Sequence, residues 1–129
     1  MNLTADKAAE LEKNFIENDL MSQGDHIIEN IKGDYWEGFL IFQSQTRGAY
    51  YFTNERVIFV GGFAGSYSWS LSYKDIKKID KCLIGLFPFG IKLTYYNEEK
   101  CKDKKHKMSV LSRSKWIEFL NARTNTSAE

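Results

Sequence analysis

Cysteine is scarce in this chain, and the two present do not pair on paper: Cys82 falls in a candidate strand and Cys101 in a candidate loop. With neither a secretory leader nor metal-ligand spacing around them, they are expected as free thiols. Histidine is as rare, and neither His26 nor His106 has a cysteine or carboxylate at ligand spacing, so no metal site is expected. An excess of either charge is missing as well: the formal net charge is +1 over 129 residues, whereas domains that wrap nucleic acid are usually strongly basic. Nucleic acid is therefore not expected as a partner, and a charged ligand must be met by a local patch. The longest uncharged apolar run, Leu83 to Ile91, falls far short of the about 20 residues of a membrane span. The start Met1-Asn2-Leu3-Thr4-Ala5-Asp6 lacks a basic, apolar leader. A soluble cytoplasmic protein is expected, or one peripheral at a membrane. Catalytic motifs are missing too: there is no nucleophile elbow, no phosphate-cradling Gly-x-x-x-x-Gly-Lys and no legible triad. The cluster Gly61-Gly62-Phe63-Ala64-Gly65 neither ends in Lys-Ser or Lys-Thr nor opens a helix, which makes it a strand connection. An enzyme is not expected, and nothing calls for a cofactor.

What is present is strand chemistry, centred on Gly48 to Val60. Two β-rich runs flank the polar pivot Thr53-Asn54-Glu55, the pattern of a hairpin. Alternation puts Val57 and Phe59 on one face and Ile58 and Val60 on the other, so this strand is apolar on both sides and central. Residues 1–23 read as an amphipathic helix from Thr4 to Gln23, with Ala8, Leu11, Phe15, Ile16 and Leu20 on one side, a Thr4 cap and a stop at Gly24. It is expected to cover apolar sheet surface. A strand follows from Gly24 to Gly33, Trp36 to Gln43 is extended by propensity, and Ser44 to Arg47 reads as a polar turn into the hairpin. Tyr67 to Tyr73 alternates strictly between large residues and serines, giving one core face and one wet face. Further strands are expected over Lys78 to Ile84, Gly90 to Tyr96 and Lys107 to Leu111. Short strands joined by turns, with no helices between them for parallel crossovers, make an antiparallel meander. Ser112 or Ser114 can cap a last helix carrying Trp116, Ile117 and Leu120, a suitable plug for an open barrel end, and residues 125–129 read as a frayed, disordered tail. The length suits one domain, 24–124, with the first helix packed on it.

Three runs taken together resemble the GRAM and bacterial PH-like domain family: Gly48-Ala49-Tyr50-Tyr51-Phe52-Thr53-Asn54-Glu55-Arg56-Val57-Ile58-Phe59, Leu71-Ser72-Tyr73-Lys74-Asp75-Ile76-Lys77-Lys78-Ile79, and Pro88-Phe89-Gly90-Ile91-Lys92-Leu93, followed by Trp116-Ile117. Phe52 stands where that family commonly has leucine, and the long segment before Gly48 leaves the pairing of Tyr35 to Gln43 open. The resemblance spans about Gly24 to Arg123. It implies a mainly β fold with two flanking helices: a PH-like barrel of about seven antiparallel strands in two near-orthogonal sheets, capped by the C-terminal helix. It also implies a noncatalytic binding module for lipid headgroups, membranes or proteins, an analogy of fold that the site must argue again.

Two stretches are candidate sites. Asn97 to Lys107 carries Lys100, Lys102, Lys104, Lys105 and Lys107 against three acids. The resemblance places this loop at the barrel mouth, beside the first hairpin loop and Gly61 to Ser66, where anionic headgroups bind. The plainer reading is a solvated hairpin tip, with no arginine for bidentate phosphate binding. The second candidate is Gly85-Leu86-Phe87-Pro88-Phe89-Gly90. Turns are normally polar, so Leu86, Phe87 and Phe89 call for a partner surface: the first helix through Leu11 and Phe15, a protein or second subunit, or a lipid interface. Lys74, Lys77, Lys78 and Lys81 read as a wet edge. Asn54 is expected in left-handed backbone, and Arg56 as an anchor of the turn to a carbonyl or carboxylate. Exposed sheet edges offer a further way to hold an extended peptide. A protein partner or self-association is preferred, with anionic membrane lipid as the alternative.

Overall fold

The computed structural model describes residues 3–39 and 42–124. Helix α1 (Ala5–Glu17) leads into strands β1 (Ile27–Phe39), β2 (Phe42–Thr53), β3 (Arg56–Gly61), β4 (Tyr67–Ser72), β5 (Ile76–Ile84), β6 (Phe87–Asn97) and β7 (Lys102–Val110), and helix α2 (Arg113–Thr124) follows. Short 3-10 turns, Phe63–Gly65 and Tyr73–Asp75, bracket β4. Every pairing is antiparallel, and the strands form one continuous sheet in the order β4-β3-β2-β1-β7-β6-β5. The two sheets implied by the family pattern are thus two arms that share β1. They face each other, because Val57, Phe59 and Leu71 from one arm enter the same buried cluster as Ile79, Ile91, Leu93 and Met108 from the other.

The central hairpin forms as its alternation dictates. Val57 and Phe59 enter that core, while Ile58 joins Phe15, Met21 and Ile27 in a second cluster on the outer face. Both faces of β3 are consequently dry, and α1 is what dries the outer one. The turn is held by the buried Thr53 hydroxyl, which accepts from the N–H of Glu55 (3.1 Å) and of Arg56 (3.0 Å). That cap makes left-handed backbone unnecessary, and Asn54 does not adopt it; its N–H donates to Asp25 Oδ1 at 3.2 Å. Arg56 does anchor the turn, but chiefly to hydroxyls: it donates to Ser22 Oγ (3.0 Å) and Ser70 Oγ (3.4 Å), with the Glu55 carboxylate at 3.8 Å.

Several boundaries differ from the sequence reading. Ser44 to Arg47 is strand, not turn: these residues pair with Asp34 to Glu37, so β1 and β2 make one long hairpin. Ser44 and Gln45 are exposed there, so the polar composition belongs to a solvated strand and not to a turn. Residues 40–41, between the two strands, lie outside the described residues, as does the tail 125–129. Strand β6 begins at Phe87 and β7 at Lys102, both ahead of their expected starts. Helix α1 stops at Glu17, well before Gly24, because Asn18 caps it and Asp19 turns to φ 59°, a conformation that short polar side chains tolerate.

A row of glycines lies in register across β1, β2 and β3: Gly33 faces Gly48, and Gly48 faces Gly61. A Cβ on Gly33 would stand 2.6 Å from Val110 Cγ1 and 3.0 Å from Tyr50 Cε2, and one on Gly48 or Gly61 would meet Phe59 Cζ at 2.9 or 2.7 Å. The row is the space into which the rings of Tyr50 and Phe59 lie down, a close approach only glycine permits. At the opposite end α2 buries Trp116, Ile117 and Leu120, and Trp116 stacks on Phe52 with ring centroids 4.9 Å apart. This is the expected plug.

Candidate functional site

Three segments converge at the end of the barrel away from α2: the first hairpin through Glu37 and Gly38, the start of β4 through Tyr67, and the β6–β7 region through Asn97, Lys100 and Lys104. They enclose a cleft of about 650 Å³, also lined by Lys92, Lys105, His106 and Lys107. The expected loop of lysines is mostly strand. Only Lys100 sits in the connection, and the other four lie on β7, where alternation sets Lys102 and Lys104 on the face of His106 and Lys105 and Lys107 on the other. Lys102 does not line the cleft, and neither do the glycines of 61–66. The charges of Lys100 and Lys102 push the pKa of Lys104 down. An anion set among these ammonium groups relieves their mutual repulsion. Glu37, which accepts from the Tyr67 hydroxyl at 3.1 Å, works against one.

His106 is a strand residue of β7, not a loop residue. It forms the floor of the cleft, stacked on Trp69 (centroids 4.1 Å apart) and Tyr95 (4.7 Å), with Nδ1 2.7 Å from the Tyr35 hydroxyl. Burial lowers its pKa to about 4, so the ring is neutral at physiological pH. Burial likewise pushes the phenols of Tyr35, Tyr67 and Tyr95 up, and they stay protonated. Beneath them the Trp69 indole N–H is buried without a hydrogen-bond partner among the described residues. The sequence did hold a signal for His106: it stands two residues before the buried Met108 on one strand.

The apolar turn is exposed. Leu86, Phe87 and Phe89 keep 89%, 62% and 57% of their surface, and the two phenylalanine rings lie nearly parallel, 5.8 Å apart. Cover by the first helix is overturned: Phe15 and Leu11 pack with Ile58 and Val60 on the outer face of β3, the apolar surface that needed α1 more. Trp36 was not singled out by the sequence. It donates to Ser109 Oγ at 2.9 Å and lines both the lysine cleft and a groove of about 480 Å³ along Leu86, Phe87 and Phe89. In the second basic set, Lys77 pairs with Asp103 at 3.1 Å and Lys78 with Asp80 at 3.8 Å, which suits a wet, partly neutralised edge. Cys82 and Cys101 are free thiols. Among the described residues no helix is long and apolar enough to cross a membrane.

Comparison with known proteins places the fold. No family model matches the sequence, and no curated protein matches it significantly. Solved structures do match. The C-terminal domain of an unknown protein from Leishmania infantum aligns with TM-score 0.67 at 17% identity, over 92% of this chain and 97% of that one. The Vps36 N-terminal PH domain aligns with TM-score 0.58 at 17% identity, over 82% and 83%. A pleckstrin homology domain from Shewanella amazonensis aligns with TM-score 0.51 at 12% identity, over 96% and 93%. The fold is therefore PH-like, which at these identities is a statement about architecture alone.

Proposed function

We propose that this chain is a noncatalytic binding module of PH type whose main contact is with protein, through the turn at Leu86, Phe87 and Phe89. The observation that carries this reading is that three large apolar side chains, Leu86, Phe87 and Phe89, stand exposed together on one turn. Contiguous exposed apolar surface on a soluble domain marks an interaction site. The place of His106 in its aromatic stack, with a pKa lowered by burial to about 4 that leaves the ring a weak base, supports the noncatalytic part. Light scattering and crosslinking of the wild type against Phe87→Asp test the self-associating form. Assemblies that Phe87→Asp dissolves, at an unchanged thermal midpoint, are the expected result, and a wild type that stays monomeric at all concentrations removes that form.

A second reading, recognition of an anionic lipid headgroup at the mouth through Lys100, Lys104, Lys105 and Lys107, with Lys102 nearby, is favoured by the repulsion that Lys100 and Lys102 exert on Lys104. Sedimentation with vesicles that contain or lack anionic lipid, at two salt concentrations, tests it. Absence of binding at low salt eliminates it.

A further inference from the structure

The apolar turn is one part of a larger surface. Phe89 and Ser109 form a rib with a groove on either side. One groove, about 480 Å³, runs past Trp36 and Leu86. The other, about 590 Å³, is lined by Gly33, Gly48 and Leu111, and Lys32 and Arg47 stand on its rim. Leu111 is itself 83% exposed.

The charge around this surface is one-sided. Lys32 and Arg47 edge the second groove, and on the far flank the charges of Lys107, Lys92 and Arg113 all act on Cys82, next to the turn. Arg113 is fixed there by the carbonyls of Cys82 (3.5 Å) and Gly90 (3.4 Å). Two carboxylates, Asp34 and Asp80, stand among these five cations, of which Lys92 and Lys107 also line the lysine cleft with Glu37. Asp34 accepts from the Gln45 amide and stands across from Arg47 on the paired strand, and Asp80 lies 3.8 Å from Lys78. The chain as a whole carries a formal +1, so this excess is local.

We propose that the occupant of this surface is an acidic amphipathic segment of a partner protein, its apolar side chains entering the two grooves astride Phe89 and its carboxylates meeting the cationic rim. This rests on the reading of the turn as a contact surface and adds the chemistry of the partner. Two concavities beside one aromatic rib ask for side chains at fixed spacing, such as the i, i+3, i+4 and i+7 positions of a helix lying in a groove. A fluid bilayer has no such teeth. Arg47, with its planar fork, suits a carboxylate better than a lysine would.

The probes are a labelled helical peptide with leucines at those positions and glutamates elsewhere, and its counterpart with lysine for glutamate, followed by fluorescence anisotropy at low and high salt. The acidic peptide is expected to bind about tenfold or more tighter than the basic one, to weaken as salt rises, and to be lost in Phe87→Asp. In Lys32→Glu/Arg47→Glu the preference falls or reverses while the thermal midpoint holds, since both side chains are exposed. Equal binding of both peptides, abolished by Phe87→Asp, overturns the acidic partner but leaves the turn as the contact. Acidic-peptide binding that survives Phe87→Asp overturns the reading of the turn itself. If neither peptide binds, the proposal fails, and sedimentation with anionic vesicles that Phe87→Asp abolishes then assigns the surface to a membrane.

Discussion

His106 shows how one half-buried imidazole ties the mouth of the barrel to pH. Its folded pKa of about 4 lies below the ordinary 6.5, so the unfolded chain binds the extra proton. Stability from the neutral ring is fully present above pH 6.5 and drains away as pH falls toward about 4. The shift corresponds to about 3 kcal/mol between these limits. Denaturant titrations across that window should show the loss in the wild type and a flatter profile in His106→Gln; parallel profiles would refute the linkage. At this scale the sequence was least legible. Asn54 carries left-handed propensity, but the Thr53 hydroxyl settled the turn first, and no local pattern announces which of two side-chain devices will win. Five lysines around His106 hid a ring whose place is set by Trp69 and Tyr95, distant in sequence.

Elements were legible where burial repeats and obscure where it does not. The two-sided apolar pattern of β3 and the Trp116 stripe of α2 each report a fixed neighbour, and both stand as read. Ser44 to Arg47 went wrong because a hairpin arm reaching into solvent buries little and carries no period to read. The glycine row makes a prediction at this scale. Gly48→Ala sets a methyl against the Phe59 ring and the Val60 carbonyl, neither of which has room to retreat. It should cost about 1–3 kcal/mol in equilibrium unfolding, as overpacking of cores does. Ala49→Gly, one position along, removes a side chain that those rings do not need, so it should leave the ring contacts in place; equal effects on Phe59 packing by NMR would deny the row its role.

Across the whole molecule the sequence specified the PH-like architecture, because seven short strands and two helices leave few alternatives, and left the binding surfaces unresolved, because those depend on which apolar stretch α1 chose to cover. The lysine connection and the apolar turn sit at opposite ends of β6, whose 11 residues span about 35 Å at a rise of about 3.3 Å each. Substitutions at such distances act independently. Lys100→Glu/Lys104→Glu should therefore abolish any headgroup binding without altering peptide binding at Phe87, and calorimetric titration of each ligand against both variants checks it; a loss of both together would mean one shared surface.

Strand β1 meets β7 over only four residue pairs, Gly33 to Trp36. Each arm is a meander that zips locally, yet this seam must bring together groups such as Tyr35 and His106, 71 positions apart. Loop closure of that length comes before its reward, which makes the seam the slow, late event in assembly. Stopped-flow refolding of Met108→Val should accordingly be slowed less than its unfolding is hastened. Until the seam shuts, a newly made chain presents two unjoined ribbons, and the interval before joining is when it is most open to mispairing with its neighbours.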